Sequence, residues 1–168
     1  GSASEDKPFP ASVISLATAK GKLHAMLKPL VADYEYIIID CPPSAEEQAS
    51  QSALLVSDVC LMPLQPTPAD MWATVGIVKL VEKAQTVNAN LKAYGVANRV
   101  TSSSLGKQVL SVMAENNIVM LDAKLGNRTS FQEATITGTT PQKMGSAHKT
   151  AANEVAALAN ELFLKMGW

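Results

Sequence analysis

The sequence predicts an α/β fold, a doubly wound and mainly parallel sheet with helices on both faces. Three observations predict it. Short apolar runs alternate with helical repeats, separated by brief polar or proline-containing turns. The clearest run, Tyr36-Ile37-Ile38-Ile39-Asp40, carries three successive β-branched residues, the pattern of a strand buried on both faces of a parallel sheet. Polar residues fall at the ends of such runs, where ligands of doubly wound sheets sit.

Taken in order, Ala11–Leu16 is a short apolar run that reads as a strand. Lys22–Val31 places Leu23, Met26, Leu27 and Leu30 at helical spacing. After the Tyr36–Asp40 run, Cys41-Pro42-Pro43-Ser44 is a stop, and Ser44 can cap a helix over 45–55. The phrase then repeats. Asp58–Leu64 reads as a strand, Gln65-Pro66-Thr67-Pro68 as a loop and Ala69–Ala84 as a long helix. Leu91–Val100 and Gly106–Asn116 form the next strand and helix. Ile118–Leu121 is a short strand, Ser130–Thr137 a helix, and Ala147–Met166 a closing helix striped by Val155, Leu158, Ala159, Leu162 and Phe163. Crossovers between parallel strands are right-handed, which puts helices on both faces. The absence of repeats and low-complexity linkers favours a single domain over 1–168.

Composition narrows the function classes. With 168 residues and 47% hydrophobic content the chain can bury a sizeable core, built from aliphatic residues because aromatics make up only 5%. Lys plus Arg number 14 against 15 Asp plus Glu, so no global basic excess announces nucleic acid, although a local patch remains open. Cys41 and Cys60 have no CxxC or histidine spacing and read as small buried hydrophobes rather than metal or redox groups. Nothing resembles a signal peptide, and no apolar run approaches the roughly 18–20 residues that cross a bilayer. The expected setting is the cytoplasm.

Three strand ends carry the chemistry. Asp40 could bind Mg²⁺ through water or orient a water near a phosphate, or it could cap the next helix. The prolines after it stiffen the loop. In Gln65-Pro66-Thr67-Pro68-Ala69-Asp70, Thr67 or Asp70 could support the following helix, a role common to many such turns. Asn98-Arg99 closes the run Ala93–Ala97, and an Asn amide offers the donor and acceptor that match an adenine edge, or forms a turn.

Together these pieces resemble the ParA/MinD superfamily of deviant Walker ATPases, and most closely its ParA branch. The carrying residues are Asp33-Tyr34-Glu35-Tyr36-Ile37-Ile38-Ile39-Asp40-Cys41-Pro42-Pro43, Ala53–Asp58, Pro63–Asp70, the strand closing on Asn98-Arg99, and Arg128 with Phe131, Ala134 and Gly138. The resemblance implies a P-loop NTPase-like fold in which Asp40 is the Walker B aspartate acting on Mg²⁺ through water. It implies further that Pro42 and Pro43 belong to the loop sensing the γ-phosphate, and that Asn98 and Arg99 lie at the nucleotide, Asn98 facing adenine. Relatives bind ATP, dimerise around it, hold DNA non-specifically and are released when an adaptor, ParB-like or other, stimulates hydrolysis. The implied role is segregation of plasmids, chromosomes or other cargo on the nucleoid. Lys107, Lys124, Arg128, Lys143 and Lys149 are the candidate phosphate contacts for DNA, although any single one of them is better read as part of a solvated charged face.

One family element is missing from these residues. KGGxGKT, whose backbone N–H groups and lysines cradle the phosphates, does not occur, and neither does DxDPQ. Gly1-Ser2-Ala3 is similar to the residues just after DPQ in relatives, so the expected reading is an N-terminally truncated domain or a relative without the loop. The chain by itself is then expected neither to bind ATP tightly nor to hydrolyse it. An uncovered apolar flank near Asp40 and self-association through it are also expected. The alternative is a non-catalytic module that contacts DNA, an intact ParA-like subunit or a cargo adaptor. A MinD-like membrane role is disfavoured, because Asn153–Trp168 offers only Lys165 beside Glu154 and Glu161.

Overall fold

The computed structural model describes residues 11–16, 19–42, 48–65, 67–101, 115 and 118–168. Among them lies a parallel sheet of three strands in the order β1-β2-β3, with β1 at Val59–Leu64, β2 at Lys92–Val100 and β3 at Val119–Gly126. Helices α1 (Leu23–Leu27), α2 (Gln48–Leu54), α3 (Pro68–Gln85), α4 (Thr129–Thr137) and α5 (Lys149–Met166) accompany it. This is the α/β architecture that strand–helix alternation predicts.

The β1–α3–β2 unit follows the sequence reading closely. β1 and β2 pair in unbroken register from Val59↔Lys92 to Leu64↔Ala97. Leu54 of α2, Val78, Val81 and Ala84 of α3, Met62 and Leu64 of β1, and Leu91 and Ile118 form one buried cluster. Their spacing along α3, three residues apart, keeps one stripe on the sheet. Asn88 ties the unit to α2 by donating to the carbonyls of Leu54 (3.0 Å) and Ser57 (2.9 Å). Gly95 gives β2 a close approach to its neighbours, since a Cβ there would meet Met120 Sδ and lie 3.0 Å from Leu64 Cδ1, so those side chains would have to shift.

β3 runs to Gly126, longer than the expected Ile118–Leu121. Its far side is closed by a helix. Glu161 of α5 accepts from the backbone N–H groups of Asp122 (3.0 Å) and Ala123 (2.8 Å), and Glu154 accepts from that of Gly126 (3.1 Å). Two carboxylates, seven residues apart on one helix face, thus satisfy donors at the strand's edge. Of the predicted stripe, Val155, Leu158, Ala159 and Leu162 are half-buried, while Phe163 is exposed.

The N-terminal third departs from expectation. Residues 11–16 and Tyr36–Asp40 are not strands, and Ile38 is 95% exposed rather than buried on both faces. β-branched content marks residues that suit a pleated, half-buried surface, and no neighbouring strand of the described residues supplies one. The predicted helix Lys22–Val31 is broken into α1 and a single turn at Leu30–Ala32, because Pro29 has no N–H to continue the ladder. α1 still packs through Leu23 and Leu27 against Ala19 and Ala53, with Ile39 beside them. Ser52 Oγ accepts from the backbone N–H of His24 (3.0 Å). Cys41 is exposed, contrary to its reading as a buried hydrophobe, and Cys60 is half-buried. The helix expected at 106–116, apart from Glu115, which is helical, and the start of the one at 45–55 lie outside the described residues.

Candidate nucleotide and nucleic-acid face

Of the nucleotide candidates, Asn98 and Arg99 lie at the carboxyl end of a strand. At the end of β2 the ladder to β3 becomes irregular between Gly95 and Val100, and Arg99 adopts a left-handed φ of 52°. That conformation is uncommon for a residue with a Cβ and is held here by its neighbour, since the Arg99 N–H donates to Asn98 Oδ1 (2.9 Å). Asn98 is half-buried and Arg99 exposed. With Oδ1 engaged, Nδ2 is the side-chain group Asn98 has left to donate.

Asp40 and Pro42 are exposed and lie outside the sheet, while Pro43 lies outside the described residues. Asp40 keeps its order in the chain but not the buried strand end from which it was expected to project. Beside it, burial pushes the Cys41 thiol up, the Ser50 hydroxyl partly offsets this, and the Asp40 charge adds to the rise. The Cys60 thiol is pushed up to about 11, by burial first and then by Cys41. Both shifts disfavour the thiolate.

The basic candidates separate. Arg128 is engaged: its Nε and Nη2 donate to the Glu154 carboxylate at 2.6–2.9 Å in a forked pair. The Arg128 hydrogen bond holds the Glu154 carboxyl below its ordinary range, with burial opposing and the Gly126 N–H and Lys124 assisting. Arg128 therefore fastens the end of β3 to α5. Lys124, opposite Ala97 across β2–β3, is exposed, as are Lys143 and Lys149. Lys107 lies outside the described residues.

Sequence reasoning missed two arrangements. Glu154 and Glu161 were read only as charges beside Lys165, although their spacing of seven, flanking an apolar stripe, is the signal that both face the sheet. His148, at the start of α5, also escaped notice. Its Nδ1 lies 3.0 Å from Ser130 Oγ and 3.8 Å from Glu133 Oε2. One ring nitrogen serves both groups, whereas a Ser–His–acid relay needs two, so this contact joins α4 to α5 rather than forming a nucleophile.

A family model described as an AAA domain matches residues 8–94, just over half the chain. Among similar proteins, the "Maintenance of carboxysome distribution protein A" of Halothiobacillus neapolitanus (strain ATCC 23641 / c2) is 26% identical over 137 residues, 81% of this chain and 63% of its own length. The "Chromosome partitioning protein ParA" of Myxococcus xanthus (strain DK1622) is 33% identical over 115 residues, 58% of this chain and 39% of its own. The chain belongs to the ParA/MinD superfamily. Another ParA-type relative, the "Virulence plasmid ParA family protein pGP5-D" of Chlamydia psittaci, is 26% identical over 149 residues, 84% of this chain and 55% of its own. The chain spans less than two thirds of the length of these ParA/MinD relatives. No helix among the described residues is long and apolar enough to cross a membrane.

Proposed function

We propose that these residues form the body of one ParA-like domain in a partition system, binding nucleotide at the carboxyl ends of β1 and β2 and DNA through exposed lysines. The observation that carries this reading is the order of Asp40 and Gln65 within the matched family segment 8–94 and of Asn98-Arg99 just after it, at the end of the strand that completes a parallel βαβ unit. Doubly wound sheets bind ligands at that end.

The residues present fit part of a Mg²⁺–ATP site. An exposed carboxylate, Asp40, suits a hard cation held through water, which when bound would neutralise phosphate charge. Asn98, with Nδ2 to donate, suits the acceptor side of an adenine edge. Arg99 adds an exposed cation beside it. No glycine-rich lysine loop occurs in these 168 residues to cradle the phosphates. The chain alone is therefore inactive as an ATPase, and its ATP-dependent dimerisation and adaptor response belong to a domain that includes such a loop.

DNA contact rests on Lys124, Lys143 and Lys149 rather than on Arg128, whose guanidinium is committed to Glu154. Fluorescence anisotropy on random-sequence duplex DNA tests this. Binding should weaken about tenfold or more between 50 and 200 mM salt, and Lys143→Ala with Lys149→Ala should lower the salt slope by roughly 2. Binding that ignores both changes would overturn the DNA reading and favour a module that contacts a protein adaptor.

A further inference from the structure

The strand end that carries Asn98 and Arg99 depends on its neighbours. From the pair Ala97↔Lys124 to the pair Val100↔Gly126, β2 advances three residues while β3 advances two, so β2 holds one residue in excess. Arg99 lies in that bulge with its φ of 52°, and its N–H fixes Asn98 Oδ1. A bulge re-aims the side chains beside it, and a left-handed residue with a Cβ persists only where its surroundings hold it.

The end of β3 supplies that hold. The Asn127 N–H donates to the Val100 carbonyl (3.1 Å), directly after the bulge. On one side of Asn127, the Gly126 N–H donates to Glu154 (3.1 Å). On the other, Arg128 forks onto the same carboxylate at 2.6–2.9 Å. Gly126 makes room for the fork, because a Cβ there would lie 3.0–3.1 Å from Arg128 Nε, Cζ and Nη2. We propose that Glu154 and Arg128 are positioning residues for the nucleotide base. They act through the Asn127–Val100 bond, which steadies the Arg99 bulge and so directs the Asn98 amide. The inference rests on the strand-end site proposed above and adds to it a support that originates on α5.

NMR of the ¹⁵N-labelled full chain tests it in two arms. Without nucleotide, Arg99 in the parent should show the strong intraresidue HN–Hα Overhauser effect of a left-handed residue. Glu154→Gln should weaken that effect and shift the Asn98 side-chain amide. Gly126→Ala should do the same independently, since its Cβ displaces the Arg128 guanidinium and leaves both charges in place. Glu161→Gln is the control. It releases the Asp122 and Ala123 N–H groups on the same strand, outside the 126–128 segment, and should leave both signals unchanged. With subsaturating Mg-ATP, the shift of the Asn98 side-chain amide should fall by about tenfold in Glu154→Gln and Gly126→Ala and hold in Glu161→Gln. Parent-like Arg99 signals and ATP response in either variant would overturn the inference, as would an equal effect from Glu161→Gln, which would reduce the support to general stability. A parent whose Asn98 and Arg99 signals ignore Mg-ATP, with the nucleotide-free arm as expected, would instead sink the strand-end site and the positioning role with it.

Discussion

Arg128 and Glu154 illustrate how a single residue's role is decided by its partner rather than by its type. In sequence Arg128 is one of several cations suited to a DNA phosphate, and its forked hydrogen bonds to Glu154 remove it from that set. The pair also sets a pH dependence. Glu154 has its carboxyl lowered in the fold, so its contribution to stability is present above the unfolded value of about 4.5 and is lost as pH falls through the folded value. Thermal melts of Glu154→Gln should lie below the parent at pH 7 and converge with it in acid. A constant gap from pH 7 to pH 3 would show that the charge is immaterial. Asn98 and Arg99 were legible as a strand end, but the backbone geometry joining them was not. A left-handed residue stabilised by its neighbour's side chain leaves no mark in composition or periodicity.

Elements were legible in proportion to how many neighbours they have. β1, α3 and β2 fall within one or two residues of expectation, because a tight register and a shared buried cluster agree with their local patterns. Tyr36–Asp40 carries the strongest strand signal in the sequence and is not a strand in the fold, since propensity cannot form a ladder without an adjacent backbone. β3 was under-read: Leu121–Leu125 alternates apolar and polar residues, a strand signal the shorter reading passed over, and its edge is completed by carboxylates from α5 that local patterns do not reveal. The close β1–β2–β3 packing makes a testable demand at Gly95. Gly95→Ala should cost about 1–3 kcal/mol, seen as a lower urea midpoint with an unchanged slope, because Met120 and Leu64 must both move. An unchanged midpoint would mean that the sheet there is looser than described.

At the scale of the molecule, family and architecture agree. A ParA/MinD chain folds here around a parallel sheet whose β3 edge is sealed by α5 and whose β1 edge has no further strand among the described residues. The opposite end of the sheet offers a separate hollow of about 360 Å³, lined by Met62, Val81, Lys92, Tyr94 and Val119, which the strand-end rule does not favour. Titrating the ¹⁵N-labelled chain with Mg-ATP and following amide shifts distinguishes these faces most directly. Weak binding in the millimolar range is expected, with shifts concentrated at Asp40, Asn98 and Arg99. Micromolar binding, or shifts centred on Lys92, Tyr94 and Val119, would refute the proposed strand-end site.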